Sequence, residues 1–147
     1  MSSKQSLSEA IKGSHSVFLV TTPNWGNGPH DAELTHGKNV ADVSKEQGVS
    51  HLIFSSLLHV TERTRGRLSH VSHFDQKAEV ERYIRELNIP STFVLPGYFM
   101  DNLTSMGMFR RGDDGIYVLS FPVGEASKFP LIDIEDDLGK LSVDDRT

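Results

Sequence analysis

Two residues near the middle of the chain, His73 and Lys77, have types and a spacing that suit proton exchange and the binding of an anion or a hydroxyl group. Side chains three and four residues apart share one face of a helix. A helix that begins by His73 therefore carries both on the apolar stripe formed by Val80, Ile84 and Leu87. Because a buried ammonium without a partner is costly, such a lysine usually reaches an anion, a hydroxyl group or the mouth of a cleft. The alternative is that Lys77 extends along the helix start and keeps its charge in water.

Three short apolar runs must position this helix. They are SVFLVT from Ser16, HLIFSS from His51 and TFVL from Thr92. Runs of this kind are typical of strands that are buried on both faces of a parallel sheet. The segments 31–48 and 73–90 between them have helical spacing and end at helix-stop residues. This order predicts an α/β fold, with part of a doubly wound parallel sheet, flanking helices and right-handed crossovers.

The pattern is weaker after Pro96. The segment GYFMDNLTSMGMF predicts a short helical or irregular stretch, and GIYVLSFPVG predicts a strand that enters a turn. LIDIEDD predicts a further short strand, with no helix after it. The chain has the length of one ordinary domain, and neither an internal repeat nor a linker divides it, so residues 1–147 are predicted to form a single domain.

The composition limits the classes of partner. The chain has 20 acidic and 15 basic residues and a formal charge of -5, which argues against direct binding of nucleic acid or of an anionic membrane. It has no cysteine, so disulfides, thiolate zinc sites and thiol catalysis are excluded. The start, MSSKQSLSEA, has no apolar signal core, and no apolar run reaches the length of a membrane span. The expected location is the cytoplasm or the nucleus.

Ligands of open parallel α/β sheets bind at the carboxyl ends of the strands. The positions to consider are thus Thr21-Thr22-Pro23, Ser55-Ser56 and Pro96-Gly97-Tyr98. The alternative is that these residue types only turn the chain at the strand ends. The serine pair lacks the glycine-flanked elbow of serine hydrolases.

Other groupings of chemically active residues are less specific. Histidines and acids at positions 30, 31, 33 and 36, and histidines at 70 and 73, are of types that bind metals. Nothing in the pattern fixes them on a common scaffold, so no metal site is predicted. The arginines at 63, 65 and 67 form the one basic patch, which is typical of a solvated loop.

The residues of the strands and helices also carry a family resemblance. VFLVTTPNW, ELTHGKNVADVSKEQGVSHLIFSSL and HFDQKAEVERYIRELNIPSTFVLPGYFMDNL resemble consecutive middle blocks of NmrA-like proteins, from about Ala10 to about Gly139. The resemblance implies a Rossmann-like fold of the atypical short-chain dehydrogenase group. It also implies that the ligand is a dinucleotide, NADP or NAD.

The resemblance assigns roles by matching positions. Lys77 would contact the nicotinamide ribose. In the larger group a tyrosine stands four residues before this lysine, but His73 stands there in this chain, so the usual proton donor is missing. No catalytic residue is assigned, and His73 and Tyr98 are the candidates for a proton donor. The residues that would line the cofactor are Thr21, Thr22 and Pro23 after the first strand, and Tyr98, Phe99 and Asn102 at the nicotinamide end.

The same resemblance implies a function. Many NmrA-like proteins are thought to bind the dinucleotide as redox sensors or transcriptional regulators, so the expected partners are a dinucleotide and a protein such as a transcription factor. The alternative is an NADP-dependent oxidoreductase of the atypical short-chain type. Whether the chain is an enzyme stays open at this point.

The phosphate-binding signature of the family, a glycine-rich turn between a strand and a helix, does not occur in this sequence. Gly26 and Gly28 are closely spaced, but no strand, third glycine and helix follow in the required order. We therefore expect a partial domain, with its core at about 10–139, that lacks the glycine-rich N-terminal part. Two consequences are expected: SVFLVT forms an exposed apolar edge, and the chain alone binds the dinucleotide weakly or not at all.

Overall fold

The computed structural model describes residues 1–26, 29–119, 123–124, 126–128 and 130–142. The chain divides into two compact units, Met1–Leu95 and Pro96–Thr147. The first contains seven elements in chain order: α1 Lys4–Ile11, β1 Ser16–Leu19, α2 Ala32–Glu46, β2 His51–Ser55, α3 Val60–Arg63, α4 Ser72–Glu86 and β3 Ser91–Val94.

The sheet of the first unit confirms the predicted architecture. Its strand order is β1-β2-β3, and both pairings are parallel. Leu52 in the central strand pairs with Val17 on one side and with Ser91 on the other. In the part of the chain that the structure describes, β1 lies at one edge of this sheet, and its Phe18 side chain is half exposed. The predicted apolar edge is therefore present.

The core lies between the sheet and the two long helices, α2 and α4. Leu52 and Phe54 of β2 are fully buried, as are Val80 and Ile84 of α4. The two helices pack closely because Gly37 of α2 faces Val80: a Cβ atom at position 37 would lie 2.4 Å from Val80 Cγ2. The close packing brings polar residues of α2 within reach of α4.

Both long helices end where the sequence predicts. Gly48 follows α2 with a φ of 70°, and Asn88 follows α4 with a φ of 53°. Glycine and asparagine are the residues that most readily adopt this left-handed conformation at a helix end. Each helix is 15 residues long, and each returns the chain directly to the next strand of the sheet.

The described residues of the second unit form shorter elements: β4 Tyr98–Phe99, α5 Asp101–Ser105, β5 Phe109–Arg111, β6 Tyr117–Leu119, β7 Leu131–Ile132, a π-helical turn Ile134–Leu138 and α6 Gly139–Ser142. β4 and β7 pair in parallel, and β5 and β6 form an antiparallel pair. The short helix, the strand after Gly115 and the strand of LIDIEDD are confirmed. The strand predicted from Gly115 continues into residues 120–122, which lie outside the described part of the chain.

One prediction for this unit is wrong, because helical turns do follow β7. The Asp133 carboxylate accepts hydrogen bonds from the backbone N–H groups of Glu135 and Asp136, at 2.9 and 3.2 Å. A side chain that accepts from the first free N–H groups stabilises the start of a helical turn. No described helix of the chain is long and apolar enough to cross a membrane.

Candidate functional site

Three buried polar side chains meet at the carboxyl end of β1. Thr21 lies just beyond this strand, Glu33 lies in the first turn of α2, and Lys77 lies in the second turn of α4. The Lys77 ammonium is 3.0 Å from Glu33 Oε1, and the Thr21 hydroxyl donates to the same oxygen at 2.7 Å. Lys77 is 7% exposed and Glu33 is 2% exposed. The alternative in which Lys77 keeps its charge in water is therefore wrong, since a carboxylate and a hydroxyl group hold it inside.

The ammonium of Lys77 is fully engaged by the protein. Besides Glu33, it donates to the backbone oxygen of Thr21 at 2.7 Å and to the Thr21 hydroxyl oxygen at 2.8 Å. An ammonium has three N–H donors, and three acceptors surround this one. A ligand hydroxyl that is to accept from Lys77 must therefore replace one of these contacts.

Glu33 differs from Lys77 because half of its hydrogen-bonding capacity is open. Its Oε1 atom accepts from both Thr21 and Lys77. Its Oε2 atom is buried and has no hydrogen-bond partner among the described residues. A buried carboxylate oxygen without a donor is uncommon in folded proteins, and such an atom calls for a specific explanation.

Glu33 also lines a small cavity of about 130 Å³, which we call the Trp25 cavity. The indole of Trp25 is 77% exposed and lies against the ring of His73, with 5.1 Å between the ring centroids. The Gln76 amide donates to His30 O at 2.7 Å and accepts from Leu34 N at 3.2 Å, and so ties α4 to the start of α2. The lining residues are Pro23, Asn24, Trp25, Gly26, His30, Glu33, Ser72, His73 and Gln76.

The structure brings together part of the site that the sequence predicts. Thr21 and Lys77 are in direct contact, and His73 lies one helical turn before Lys77 on α4. Thr22 lines a second, open cleft of about 720 Å³, and Pro23 lines both this cleft and the Trp25 cavity. The pair Ser55-Ser56 ends β2, where the backbone N–H of the buried Ser56 donates to Val94 O at 2.8 Å.

The other predicted cofactor residues belong to the second unit. Tyr98 lies in β4, where its N–H donates to Pro130 O at 2.8 Å and its hydroxyl donates to Met108 Sδ at 3.0 Å. Phe99 follows it in the same strand, and Asn102 lies in α5. All three side chains are half-buried.

A second cluster of charged side chains surrounds the imidazole of His59, on the surface of the first unit. His59 Nδ1 is 3.1 Å from Asp75 Oδ1, and Nε2 is 3.3 Å from Glu79 Oε1. Arg82 pairs with Glu79 at 3.0 Å and with Glu62 at 2.8 Å. His59, Glu62 and Glu79 are close enough for a common metal ion, but Arg82 pairs with both carboxylates and would compete with an ion for them. We call these five residues the surface cluster.

Asp75 of the surface cluster anchors α3 to α4. The backbone N–H of Thr61 donates to Oδ1 at 3.1 Å, and the Thr61 hydroxyl donates to Oδ2. Burial raises the pKa of Asp75, but the two bonds from Thr61 and the nearby His59 outweigh it and hold the pKa below its ordinary value. The basic residues at 63, 65 and 67 are all exposed, as predicted. Arg63 is the last residue of α3, and only the other two lie in the loop that follows.

Sequence reasoning missed Glu33 as the partner of Lys77, and it missed Trp25 altogether. Glu33 attracted notice only as an acid between two histidines. The available signal was its position: Glu33 and Gly37 are four residues apart and therefore share one face of α2. A cation on the apolar stripe of one helix and an acid on the inner face of its neighbour predict an ion pair.

Comparisons with known proteins agree with the fold. The NmrA-like family matches residues 1–144. The nitrogen metabolite repression protein nmrA of Emericella nidulans is 32% identical over 134 residues, which are 88% of this chain and 36% of that protein. The NmrA-like family domain-containing oxidoreductase malD of Malbranchea aurantiaca is 32% identical over 148 residues, which are 90% of this chain and 43% of that protein.

Solved structures show the same fold. The crystal structure of NmrA, a negative transcriptional regulator, superposes with a TM-score of 0.80 at 30% identity, over 93% of this chain and 42% of that one. NmrA in complex with NADP superposes with a TM-score of 0.79, over 92% of this chain and 41% of that one. The triphenylmethane reductase of Citrobacter sp., solved with NADP(H), superposes at 0.53 and 21% identity over 67% of this chain and 32% of that one.

The parallel sheet, its flanking helices and the polar residues at its carboxyl end define a Rossmann-like α/β protein of the dinucleotide-binding type. Within that class the chain belongs to the NmrA-like family, as the resemblance of its strand and helix blocks implies. The chain spans about a third to a half of the length of the relatives described above.

Proposed function

We propose that this chain forms the ribose and nicotinamide side of an NADP or NAD site, in a protein that acts as a redox-sensing or transcriptional regulator. The single observation that carries the proposal is the buried group of Thr21, Glu33 and Lys77 at the carboxyl end of β1, next to a cavity. This is where open parallel α/β sheets bind their ligands. Two relatives support the choice of ligand and role: the NmrA structure solved with NADP, and the nitrogen metabolite repression protein.

The residues present fit the sugar end of such a cofactor. Glu33 Oε2 is an open acceptor for a hydroxyl group, and Thr22 and Pro23 line a cleft on the same loop. When bound, the nicotinamide ring supplies a hydride-accepting or hydride-donating group, whose redox state a sensor reads. The proposed roles of this chain's residues are to hold and orient it: Lys77 at the ribose, and Tyr98, Phe99 and Asn102 along the nicotinamide end.

The regulatory role includes a protein partner, such as a transcription factor, and a cytoplasmic or nuclear location. Both rest on the similarity to a transcriptional regulator. Affinity purification of the tagged chain followed by mass spectrometry, together with fluorescence microscopy, tests them. Recovery of no transcription factor or other regulatory protein counts against the regulatory role, and a location outside these two compartments counts against the location.

Dinucleotide binding is tested by nuclear magnetic resonance titration of the chain with NADP⁺ and NAD⁺. We expect weak binding that shifts the backbone resonances of Thr21, Thr22 and Lys77, because a phosphate-binding glycine turn does not occur in this sequence. Unchanged resonances at these positions up to millimolar ligand contradict the proposed site. A calorimetric dissociation constant in the micromolar range or tighter contradicts the expectation of weak binding.

The sensing role requires a difference between the two redox states of the ligand. A ligand shifts a protein equilibrium only through differential affinity, so the dissociation constants of NADP⁺ and NADPH must differ. The same titration with NADPH measures this difference. Equal constants contradict redox sensing but leave dinucleotide binding intact.

A second candidate function is favoured by the relatives that are described as oxidoreductases. In that case Lys77 positions an NADP cofactor, and His73 or Tyr98 supplies a proton. NADPH consumption with a panel of quinones and carbonyl compounds tests it. The oxidoreductase function predicts turnover that is lost in a folded Lys77→Ala variant and kept in the matched Lys12→Ala variant, which changes an exposed lysine. The absence of turnover contradicts it.

A further inference from the structure

We propose that Glu33 binds ligand directly: its Oε2 atom accepts a hydrogen bond from a hydroxyl or amide group on a small, neutral ring in the Trp25 cavity. This inference deepens the proposed function and rests on it, because it assigns the sugar or the amide of the dinucleotide to one atom. The two sources are the ribose and the reduced dihydronicotinamide, and each is an uncharged ring that carries a hydrogen-bond donor. The oxidised nicotinamide ring of NADP⁺ or NAD⁺ is a cation and does not belong to this class.

The hydrogen bonds within the buried group leave one acceptor atom open. Glu33 Oε1 receives the Thr21 hydroxyl at 2.7 Å and the Lys77 ammonium at 3.0 Å. Oε2 is buried and receives nothing from the described residues. A buried acceptor that protein donors do not satisfy gains more from a ligand donor than an acceptor in water does. The unused hydrogen-bonding position of the buried group is therefore an acceptor, Glu33 Oε2.

The resemblance assigns Lys77 to the ribose, but the hydrogen-bond donors of Lys77 are already occupied. Its three N–H groups already face three protein acceptors, at 2.7, 2.8 and 3.0 Å. It offers a ligand no donor without first losing a contact. A ligand that keeps this group intact hydrogen-bonds to Glu33, while Lys77 holds Glu33 in place.

The charges of the buried group are balanced. The Glu33 carboxylate and the Lys77 ammonium neutralise each other inside the protein. A neutral ligand leaves this balance unchanged, whereas a cation or an anion in the cavity adds a buried charge with no counter-ion of its own. The cavity therefore suits an uncharged group.

Aromatic side chains form part of the walls of the Trp25 cavity. The ring planes of Trp25 and His73 are tilted by 58°, so two aromatic surfaces border the space near Glu33. The Gln76 amide is committed to His30 O and Leu34 N. Both polar atoms of Gln76 are thus engaged, whereas Glu33 Oε2 is an open acceptor, and the aromatic walls favour contact with a small ring.

Trp25 provides the experiment with its own reporter, because it is the only tryptophan of the chain. Its indole N–H gives a single resonance next to the cavity. We would titrate the full chain with nicotinamide, which carries an amide on a ring, and separately with methyl ribofuranoside, which carries hydroxyl groups on a ring. The expected result is a saturable shift of the Trp25 resonance by at least one of the two, which identifies the source of the donor.

The deciding variant is Glu33→Gln, which keeps the size of the side chain but removes the second acceptor oxygen. We expect it to weaken binding of the active probe by about tenfold or more, since a hydrogen bond to a carboxylate is stronger than one to a neutral group. Glu46→Gln is the matched control, because it makes the same change at an exposed position of the same helix. It should bind like the unchanged chain.

A second variant covers the case in which Glu33→Gln does not fold. His73→Ala removes one aromatic wall and leaves the buried pair and the Trp25 reporter in place. It should weaken the probe several-fold while circular dichroism shows an unchanged fold. Wild-type affinity in this variant overturns the proposed cavity.

The outcomes separate this inference from the proposed function. Equal affinity in a folded Glu33→Gln variant overturns the role of Glu33, and so does the absence of probe binding while NADP⁺ shifts Thr21 and Thr22. Both results leave dinucleotide binding standing. Binding of a small probe without any response to NADP⁺ or NAD⁺ supports the cavity and overturns the dinucleotide function. No response to any ligand overturns both.

Discussion

Helix α4 contributes to two clusters of charged side chains that differ in their exposure to water. At its start Lys77 meets Glu33 and Thr21 in a nearly dry group. On another face Arg82 meets two carboxylates of the surface cluster while its own side chain stays 50% exposed. Distances between opposite charges are similar in both, from 2.8 to 3.0 Å. We therefore expect burial, rather than distance, to decide what each charge pair contributes to the stability of the fold and to ligand binding.

The largest effect is expected from removing one member of the buried pair. Lys77→Met leaves the Glu33 carboxylate inside without a cation and should reduce the free energy of unfolding by about 3–5 kcal/mol. The double variant Lys77→Met/Glu33→Leu removes both charges and should recover most of that loss. Urea unfolding near neutral pH measures both. A loss below about 1 kcal/mol in the single variant would mean that the pair behaves like a surface pair.

A smaller loss is expected from Thr21→Val, which keeps the shape of the side chain and removes its hydroxyl. That hydroxyl donates to Glu33 and accepts from Lys77, so two buried partners lose a contact. We expect about 1–3 kcal/mol from the same unfolding measurement. Thr35→Val is the control, since Thr35 is an exposed residue of α2; an equal loss there would show that the effect is not specific to the buried group.

At the surface cluster the largest effect should come from Asp75, which holds α3 to α4. Asp75→Ala removes the two acceptors of Thr61 and should cost about 1 kcal/mol at neutral pH. The pKa of Asp75 is lowered in the folded chain, so its stabilisation is present above the unfolded pKa of about 3.9. It is lost as the pH falls through the folded pKa.

The measurement for Asp75 is the difference in unfolding midpoint between Asp75→Ala and the unchanged chain, followed from neutral to acidic pH. The difference should be constant down to about pH 4 and shrink below it. A difference that grows in acid would show that the carboxylate is destabilising in its ionised form.

The smallest effect is expected from Arg82→Ala, although it breaks two ion pairs at once. Water and salt screen most of the attraction within an exposed ion pair, and ordering the two long side chains costs entropy that offsets much of the rest. The thermal midpoint should stay within the error of measurement, at low salt and at high salt alike. A clear drop at low salt that high salt abolishes would show that the surface cluster stabilises the fold as a network.

The sequence predicts the sheet, α2 and α4, because each signal is local and strong. The three strands are unbroken apolar runs, and the helices end at Gly48 and Asn88, which take the left-handed conformation. Lys77 is also found from sequence, since a cation interrupts an apolar stripe. The patterns that sufficed are those in which burial and residue type agree.

In the features that the sequence did not predict, burial and residue type do not agree. The inner face of α2 carries Glu33, Gly37 and Ser44, all buried, and none of them adds to a hydrophobic signal. Trp25 lies in a loop, where no periodicity marks an aromatic residue. The helical turns after β7 depend on a single carboxylate, that of Asp133. Tertiary contacts specify the first two of these features, and the third depends on a local side-chain cap that no hydrophobic pattern marks.

The contact between Gly37 and Val80 sets a limit on how sequences of this fold can vary. Because a Cβ atom at 37 would overlap a methyl group of Val80, the two positions share one fixed volume. A larger residue at one requires a smaller residue at the other, or the two helices must separate. Separation would move α2 away from α4 and pull Glu33 off Lys77. The absence of a side chain at one position thus sets the length of an ion pair one helical turn away.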